Sequence, residues 1–188
     1  MGTVRTVAKN TSALLIAEVI SKAAQIFYFA ILARYIAIEG VGKISTAQAL
    51  TSTLIVLVSL GFDQLMTRDI AAMRSLAASY GTNVAIIKLT LSSLYLIALY
   101  PVTQILGYSQ EVMLLVYLYA ANSLLTSFTE IAASIFRAFE KMEFNVVIRL
   151  CRDAINITLS LLAIYLHFSL PILVGISGFA SFCQLVCA

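Results

Sequence analysis

Long apolar stretches dominate the chain and are separated by short polar or glycine-containing segments. A helix needs about 20 predominantly apolar residues to cross the hydrocarbon core of a membrane. We predict a transmembrane helix in each of six stretches: Ala13–Ile36, Ile44–Met66, Val84–Leu106, Val112–Ile135, Val146–Phe168 and Leu170–Val186. The pattern therefore predicts an all-α fold, a polytopic membrane protein whose residues 1–188 form a single six-helix bundle.

The segments between the predicted spans carry charges, glycines or both. We expect turns or loops at five places: Glu39–Lys43, Arg68–Thr82, Gly107–Glu111, Arg137–Glu143 and His167–Ser169. The last of these leads into Pro171, which suits the first turn of a helix. Pro101 lies inside the third span, where it removes a backbone donor, and we expect it to kink that helix.

Basic residues predict which way the bundle faces. If the N-terminus lies in the cytoplasm, the cytoplasmic segments hold most of the basic residues outside the spans: Arg5, Lys9, Arg68, Arg74, Arg137 and Lys141. The opposite side then holds Lys43, with Arg34 near the membrane boundary. Cytoplasmic loops of membrane proteins are enriched in Lys and Arg. We therefore predict a multi-pass protein of the cytoplasmic (cell) membrane with a cytoplasmic N-terminus.

The composition of the chain argues against several classes of protein function. The chain is 61% apolar and 11% charged, against about 45–50% and about 25% in soluble domains. Its net charge of +3 is dispersed, so we expect no nucleic-acid partner. Its one histidine, His167, stands alone, and the chain has no phosphate-binding loop. We expect no metal site, no cofactor and no catalytic residues, and hence not an enzyme.

Four of the predicted spans carry polar side chains at helical spacing, which puts them on one face, whereas the third and sixth spans are much less polar. A central Arg, Lys or Asp costs roughly 2.5–3.5 kcal/mol in a membrane helix, so such residues usually face a protein-lined or watery interior. We predict that eight of them line an internal cavity that binds substrate: Glu18, Lys22, Gln25, Asn122, Arg149, Arg152, Asp153 and Asn156.

Simpler interpretations of some charges remain open at this point. Glu18 and Lys22 are four residues apart and could form an ion pair that joins helices. Arg149 could extend to the lipid headgroups. Asp63 and Glu130 lie near the ends of their spans and could be solvated.

Three motifs then occur in order at the helix boundaries. The first combines Lys9–Thr11, Ile31–Ile36 and Glu39–Gly42, the second Leu60–Asp63 and Arg68–Ala71, and the third is Ile135–Met142. Together they resemble the polysaccharide-biosynthesis flippases, the O-antigen or lipid-linked oligosaccharide branch of the multidrug/oligosaccharidyl-lipid/polysaccharide exporter superfamily. The resemblance covers nearly the whole chain.

This resemblance implies a fold and a function. Its members have two lobes of six helices around a central cavity, and the six predicted spans match the N-terminal lobe. They flip a polyprenyl-diphosphate-linked oligosaccharide by alternating access without ATP. The implied partners are the lipid bilayer, the lipid-linked oligosaccharide and a second six-helix lobe, or another copy of the chain.

Roles for the stripe residues follow from that substrate. Lys22, Arg149 and Arg152 would attract the diphosphate, since Arg and Lys bind phosphate strongly. Neutral groups would bond to sugar hydroxyls: Gln25, Asn122, Asn156 and Ser160. Glu18 and Asp153 would hold the cations and bind a coupling ion.

Three other functions compete with this one. A multidrug or small-cation exporter of the same superfamily should have a cavity rich in acids and aromatics, which Arg152 disfavours. A membrane-embedded glycosyl or acyl transferase should have a sizeable polar loop, and the longest expected loop has about fifteen residues. The length of a single lobe favours a non-transporting scaffold or degenerate lobe.

Overall fold

The protein is helical throughout the part that its computed structural model describes, residues 17–188 with their side chains and the backbone of the first helix from Gly2. Seven helices follow one another: α1 (Gly2–Leu54), α2 (Val56–Ser59), α3 (Phe62–Ala72), α4 (Ala77–Ile105), α5 (Gln110–Ala138), α6 (Met142–Tyr165) and α7 (Leu170–Cys187). The predicted all-α class is confirmed. The side chains of Arg5, Lys9, the Lys9–Thr11 motif and the predicted start of the first span at Ala13 lie outside the described part of the protein.

Helix α1 reverses direction at Ala37, whose backbone is non-helical with φ 58° and ψ 178°. Tyr28 and Gln48 line the same cavity, although twenty helical residues would separate them by about 30 Å in a straight helix. Two antiparallel arms therefore form, residues 17–36 and residues 38–54. Gly40 permits their close approach, because a Cβ there would lie 2.8 Å from the Cβ of Ile36.

The predicted turn at Glu39–Lys43 is therefore wrong in its position. These residues are helical, and the chain reverses just before them. Lys43 lies 2.8 Å from Glu39 one turn earlier, and an ion pair at this spacing supports a helix. The charged residues that suggested a turn instead stabilise the first turns of the second arm.

Contacts between the turns define the two ends of the bundle. Lys43 Nζ lies 2.6 Å from Glu111 Oε2 at the start of α5, and the Tyr35 hydroxyl donates to the carbonyl oxygen of Phe168, before α7, at 2.9 Å. We call this the Ala37 end. At the other end, the Met73 end, the Arg74 guanidinium lies 5.4 Å from the centre of the Phe139 ring. Successive long helices therefore run up and down between the two ends.

A break divides the second arm of α1 from α3. Leu60 and Gly61 both adopt left-handed backbone conformations, with φ of 41° and 76°. Helix α3 then runs to Ala72, and only Met73 and one 3-10 turn, Arg74–Leu76, precede α4. The break falls within the predicted second span, Ile44–Met66, which is therefore not one continuous helix.

The predicted loop at Arg68–Thr82 is also wrong, because most of it is helix. Met66 and Ile70 of α3 are fully buried and pack with Val84, Ile131 and Ala138. This apolar face keeps α3 helical past the charges of Arg68 and Asp69. The other three turns fall where the sequence placed them, between α4 and α5, α5 and α6, and α6 and α7.

Helix α5 lies at the centre of the bundle and contacts α1, α3, α4, α6 and α7. Its two halves belong to different apolar clusters. Toward the Ala37 end, Leu115 and Val116 pack with Tyr95 and Leu99 of α4. Toward the Met73 end, Ile131 packs with the buried face of α3. The bundle core is therefore divided into two layers along α5.

Four helical segments are long and apolar enough to cross a membrane: residues 17–72, 74–105, 110–138 and 170–187. The first of these contains the reversal at Ala37. Helix α6 has 24 residues, about 36 Å, but carries three central charges. A membrane-type fold is confirmed, while the count of six spans and the kink at Pro101 stay predictions.

Candidate functional site

A cavity of about 200 Å³ opens between the two arms of α1 and helices α5, α6 and α7, and we call it the central cavity. Its walls are partly apolar, with Leu32, Ile44 and Leu173 among them. The hydroxyls of Tyr28 and Tyr119 add two aromatic polar groups. The other polar lining residues are Gln48, Asn122, Arg152, Asn156, Ser177 and Ser181.

Arg152 is the charged residue of this lining, and Asp153 fixes its position. The Arg152 Nη2 and Nε atoms donate to Asp153 Oδ1 at 2.7 and 3.2 Å. The Asp153 side chain is only 7% exposed and that of Arg152 28%. A guanidinium carries five N–H donors in a planar fork, so donors remain that can bind a ligand in the central cavity.

The other oxygen of Asp153 ties α6 to the first arm of α1. Ser21 Oγ donates to Asp153 Oδ2 at 2.7 Å, and Gln25 Nε2 donates to the same oxygen at 2.8 Å. Both oxygens of the carboxylate therefore have partners, as a buried charge requires. This network lies behind the cavity wall and determines where Arg152 stands.

Amide and hydroxyl groups give the central cavity both donors and acceptors. Ser181 Oγ donates to Asn122 Oδ1 at 2.6 Å, which leaves the Asn122 amide nitrogen able to donate elsewhere. Asn156 Oδ1 is buried and finds no hydrogen-bond partner among the described residues. Such mixed groups suit ligands with hydroxyls, which both donate and accept.

A second cavity of about 240 Å³ lies about one turn along α6 toward the Met73 end, and we call it the terminal cavity. Two ion pairs line it. Arg149 Nη2 lies 2.9 Å from Glu18 Oε1, and Arg137 Nη2 lies 3.0 Å from Glu130 Oε2. Because each guanidinium already has a carboxylate partner, this cavity is close to neutral.

The structure distributes the eight predicted residues over several places. Asn122, Arg152 and Asn156 line the central cavity. Gln25 and Asp153 form the network behind it. The remaining three predicted residues lie elsewhere, two of them in the terminal cavity.

Glu18 and Arg149 line the terminal cavity and pair with each other. Glu18 therefore does not form the alternative ion pair with Lys22, because Arg149 reaches it from α6. Lys22 is exposed and lines neither cavity. Their shared role in substrate binding stays a prediction.

Sequence reasoning missed one buried charge entirely. Lys88 of α4 is fully buried, and its Nζ lies 2.8 Å from Asp63 Oδ1 and donates to the Ser127 carbonyl oxygen at 2.8 Å. Asp63, interpreted from the sequence as a solvated helix end, lies in the first turn of α3, is 22% exposed and pairs with this buried lysine. The signal available was a single lysine within an otherwise apolar stretch.

Comparison with known proteins identifies the family of the chain. A family model described as polysaccharide biosynthesis protein matches residues 7–188. No curated protein and no solved structure matches the chain. The family match covers nearly the whole chain and confirms, at the level of the family, the resemblance that the three sequence motifs suggested.

Proposed function

Because the chain belongs to the polysaccharide biosynthesis protein family, we propose that it helps to flip a polyprenyl-diphosphate-linked oligosaccharide across the cytoplasmic membrane. The observation that carries this proposal is Arg152, a guanidinium held by Asp153 at the wall of a polar cavity inside a membrane-type bundle. A transporter of this kind consumes no ATP itself, in keeping with a chain that has no phosphate-binding loop.

Arg152 suits the diphosphate part of such a substrate. Guanidinium groups bind phosphate oxygens through two parallel hydrogen bonds and keep their charge at any physiological pH. Asp153 occupies one edge of the group, so the phosphate would bind at the remaining donors. The partial exposure of Arg152 leaves that side of the guanidinium accessible.

The neutral groups of the central cavity suit the sugar next to the diphosphate. Asn122 and Asn156 offer amide groups, and Gln48 adds a third. At about 200 Å³ the cavity is smaller than the roughly 300–1,000 Å³ of a typical small-molecule site. It would therefore hold only the part of the substrate around the diphosphate and the adjoining sugar, while the lipid chain stays in the bilayer and the rest of the glycan extends out of the cavity.

Movement across the membrane requires a second body against which this bundle can rock. We propose a second six-helix lobe or another copy of the chain in that role. Lys22 supports it, because an exposed ammonium on a membrane helix is expensive in lipid and would be stabilised by a facing protein surface or substrate. We also propose that the N-terminus lies in the cytoplasm, as the distribution of Lys and Arg predicts.

The proposal is tested by translocation of a fluorescent polyprenyl-diphosphate oligosaccharide in proteoliposomes. We expect the wild-type chain, reconstituted together with its partner lobe, to move the lipid. We expect Arg152→Gln to reduce the rate at least about tenfold, because the substitution removes at least one charge-assisted hydrogen bond to the substrate. Arg68→Gln is the matched control, since Arg68 is 78% exposed and lines neither cavity.

Two results would contradict the proposal. Full activity in a folded Arg152→Gln variant would remove Arg152 from the substrate path. Export of an organic cation, without any movement of the lipid-linked oligosaccharide, would favour the small-molecule exporter instead. Normal activity of Arg68→Gln is needed to assign any loss to the central cavity.

A further inference from the structure

The ion pair between Asp63 and Lys88 lies outside both cavities and joins three helices. Lys88 extends from α4, Asp63 from the first turn of α3, and the Ser127 carbonyl oxygen belongs to α5. The ammonium is fully buried, about 17 Å along α4 from its start at Ala77. A buried charge is tolerated only with close partners, so this pair constrains how α3 packs.

The pair lies directly beside a break in the backbone. Leu60 and Gly61 are left-handed, a conformation that strains a non-glycine residue such as Leu60. No side chain in the described part of the protein caps the start of α3. Among the described residues, no other atom lies within 4 Å of a Cβ placed on Gly61, so there is open space on that side of the break.

The same level of the bundle separates the two layers of its core. Tyr95 and Leu99 of α4 pack toward the Ala37 end, whereas Val84 of α4 packs with Met66 toward the Met73 end. Lys88 stands between these groups along α4. The Asp63–Lys88 contact therefore lies at the level of the break at Leu60–Gly61 and of the boundary between the two apolar layers.

Lys88 and Asp63 differ in how far their side chains are exposed. Lys88 is 0% exposed and Asp63 is 22% exposed. Asp63 also lines an open cleft of about 580 Å³ together with Gln64, Thr67 and Arg137. Asp63 can therefore turn toward the cleft, where Arg68 and Arg137 each already contact one carboxylate and have further donors, while Lys88 keeps its bond to the Ser127 carbonyl oxygen.

We propose that Leu60–Gly61 is a hinge and that the Asp63–Lys88 ion pair is the latch that holds α3 against α4 and α5. When the pair opens, α3 moves as a unit about the hinge and the cleft beside Asp63 widens. The second arm of α1 stays in place, since it belongs to the other apolar layer. This proposal is independent of the substrate and of the role of Arg152.

Distances between spin labels in lipid nanodiscs test the latch. The natural cysteines Cys151, Cys183 and Cys187 are first replaced by serine. One label pair joins the exposed positions 65 on α3 and 86 on α4, and a reference pair joins the exposed positions 57 on α2 and 97 on α4. We expect Asp63→Asn and Lys88→Met each to add a longer distance for 65/86 and to leave 57/97 unchanged.

The control is Arg68→Gln, which removes a charge of α3 that is 78% exposed and leaves the hydrogen bond from the Tyr80 hydroxyl of α4 to Asp69 in place. It should leave both distance distributions as in the parent protein. If Asp63→Asn fails to fold, the double variant Asp63→Asn/Lys88→Met leaves no buried charge unpaired and should show the same longer 65/86 distance. An unchanged 65/86 distance in the folded variants, or equal broadening of both label pairs, would overturn the proposal.

Discussion

Arg152 and Asp153 are neighbours in the sequence, and their side chains form an ion pair with an Nη2–Oδ1 distance of 2.7 Å. The pair spans two environments, because Asp153 is buried against α1 while Arg152 lines the central cavity. Asp153 thus connects α6 to α1, and Arg152 faces the central cavity. The network around Asp153 therefore carries the prediction for stability and Arg152 the prediction for binding, while the ion pair couples the two residues.

Asp153→Asn should lower stability. The substitution removes the charge that accepts from Ser21, Gln25 and Arg152, and a hydrogen bond to a charged group contributes about 1.5–3 kcal/mol. Thermal unfolding in detergent measures the effect. Arg68→Gln, which removes a charge that is 78% exposed, should change stability by less than about 0.5 kcal/mol. Equal melting temperatures for the two variants would contradict this account of the network.

Ser21→Ala should act through Asp153. It removes one hydrogen bond of 2.7 Å to the carboxylate and should cost about 1 kcal/mol. Because the two residues are in contact, the double variant Ser21→Ala/Asp153→Asn should be less destabilised than the sum of the single variants, by about 0.5 kcal/mol or more. Strict additivity in a double-mutant cycle would show that the two residues do not interact.

Gly40→Ala should destabilise the reversal of α1. The new Cβ would lie 2.8 Å from the Cβ of Ile36, and overpacking of this kind costs about 1–3 kcal/mol. Gly42→Ala is the matched control, because nothing lies within 4 Å of a Cβ at that position. Thermal unfolding should separate the two variants. A tolerated Gly40→Ala would argue against the close approach of the arms.

Asp63→Asn should be among the most destabilising single substitutions in the bundle. It leaves the buried Lys88 ammonium with the Ser127 carbonyl oxygen but without a counter-charge, and breaking a buried pair in this way costs about 3–5 kcal/mol. Adding Lys88→Met should recover much of that loss, as measured by thermal unfolding. No recovery in the double variant would mean that the charge of Lys88 is not the cause.

The sequence was informative where polar residues repeat at helical spacing. Arg152 and Asn156 share a face of one apolar helix, and Asn122 lies on another, so periodicity alone indicated a polar interior. Packing places all three at the central cavity. Spacing along one helix could not show which residue each charge would pair with. Glu18 pairs with Arg149 on α6 rather than with Lys22 on its own helix.

Features without a local signal could not be predicted. Ser21 is a single small polar residue, and only the packing of α1 on α6 shows that it binds Asp153. Lys88 belongs to no stripe, and its partner Asp63 lies on another helix. Alanine is not a turn former, so the reversal at Ala37 gave no signal, while the glycines just after it drew the predicted turn to Glu39–Lys43.

The most direct test of the central claim is the affinity of the nanodisc-embedded protein for two lipids that carry the same oligosaccharide. One lipid is linked through a diphosphate and the other through an uncharged linker. We predict that the wild-type chain binds the diphosphate form at least about tenfold more tightly, because one charge-assisted hydrogen bond contributes at least that much to affinity. We also predict that Arg152→Gln loses this preference. A folded Arg152→Gln variant that keeps the full preference would contradict the account.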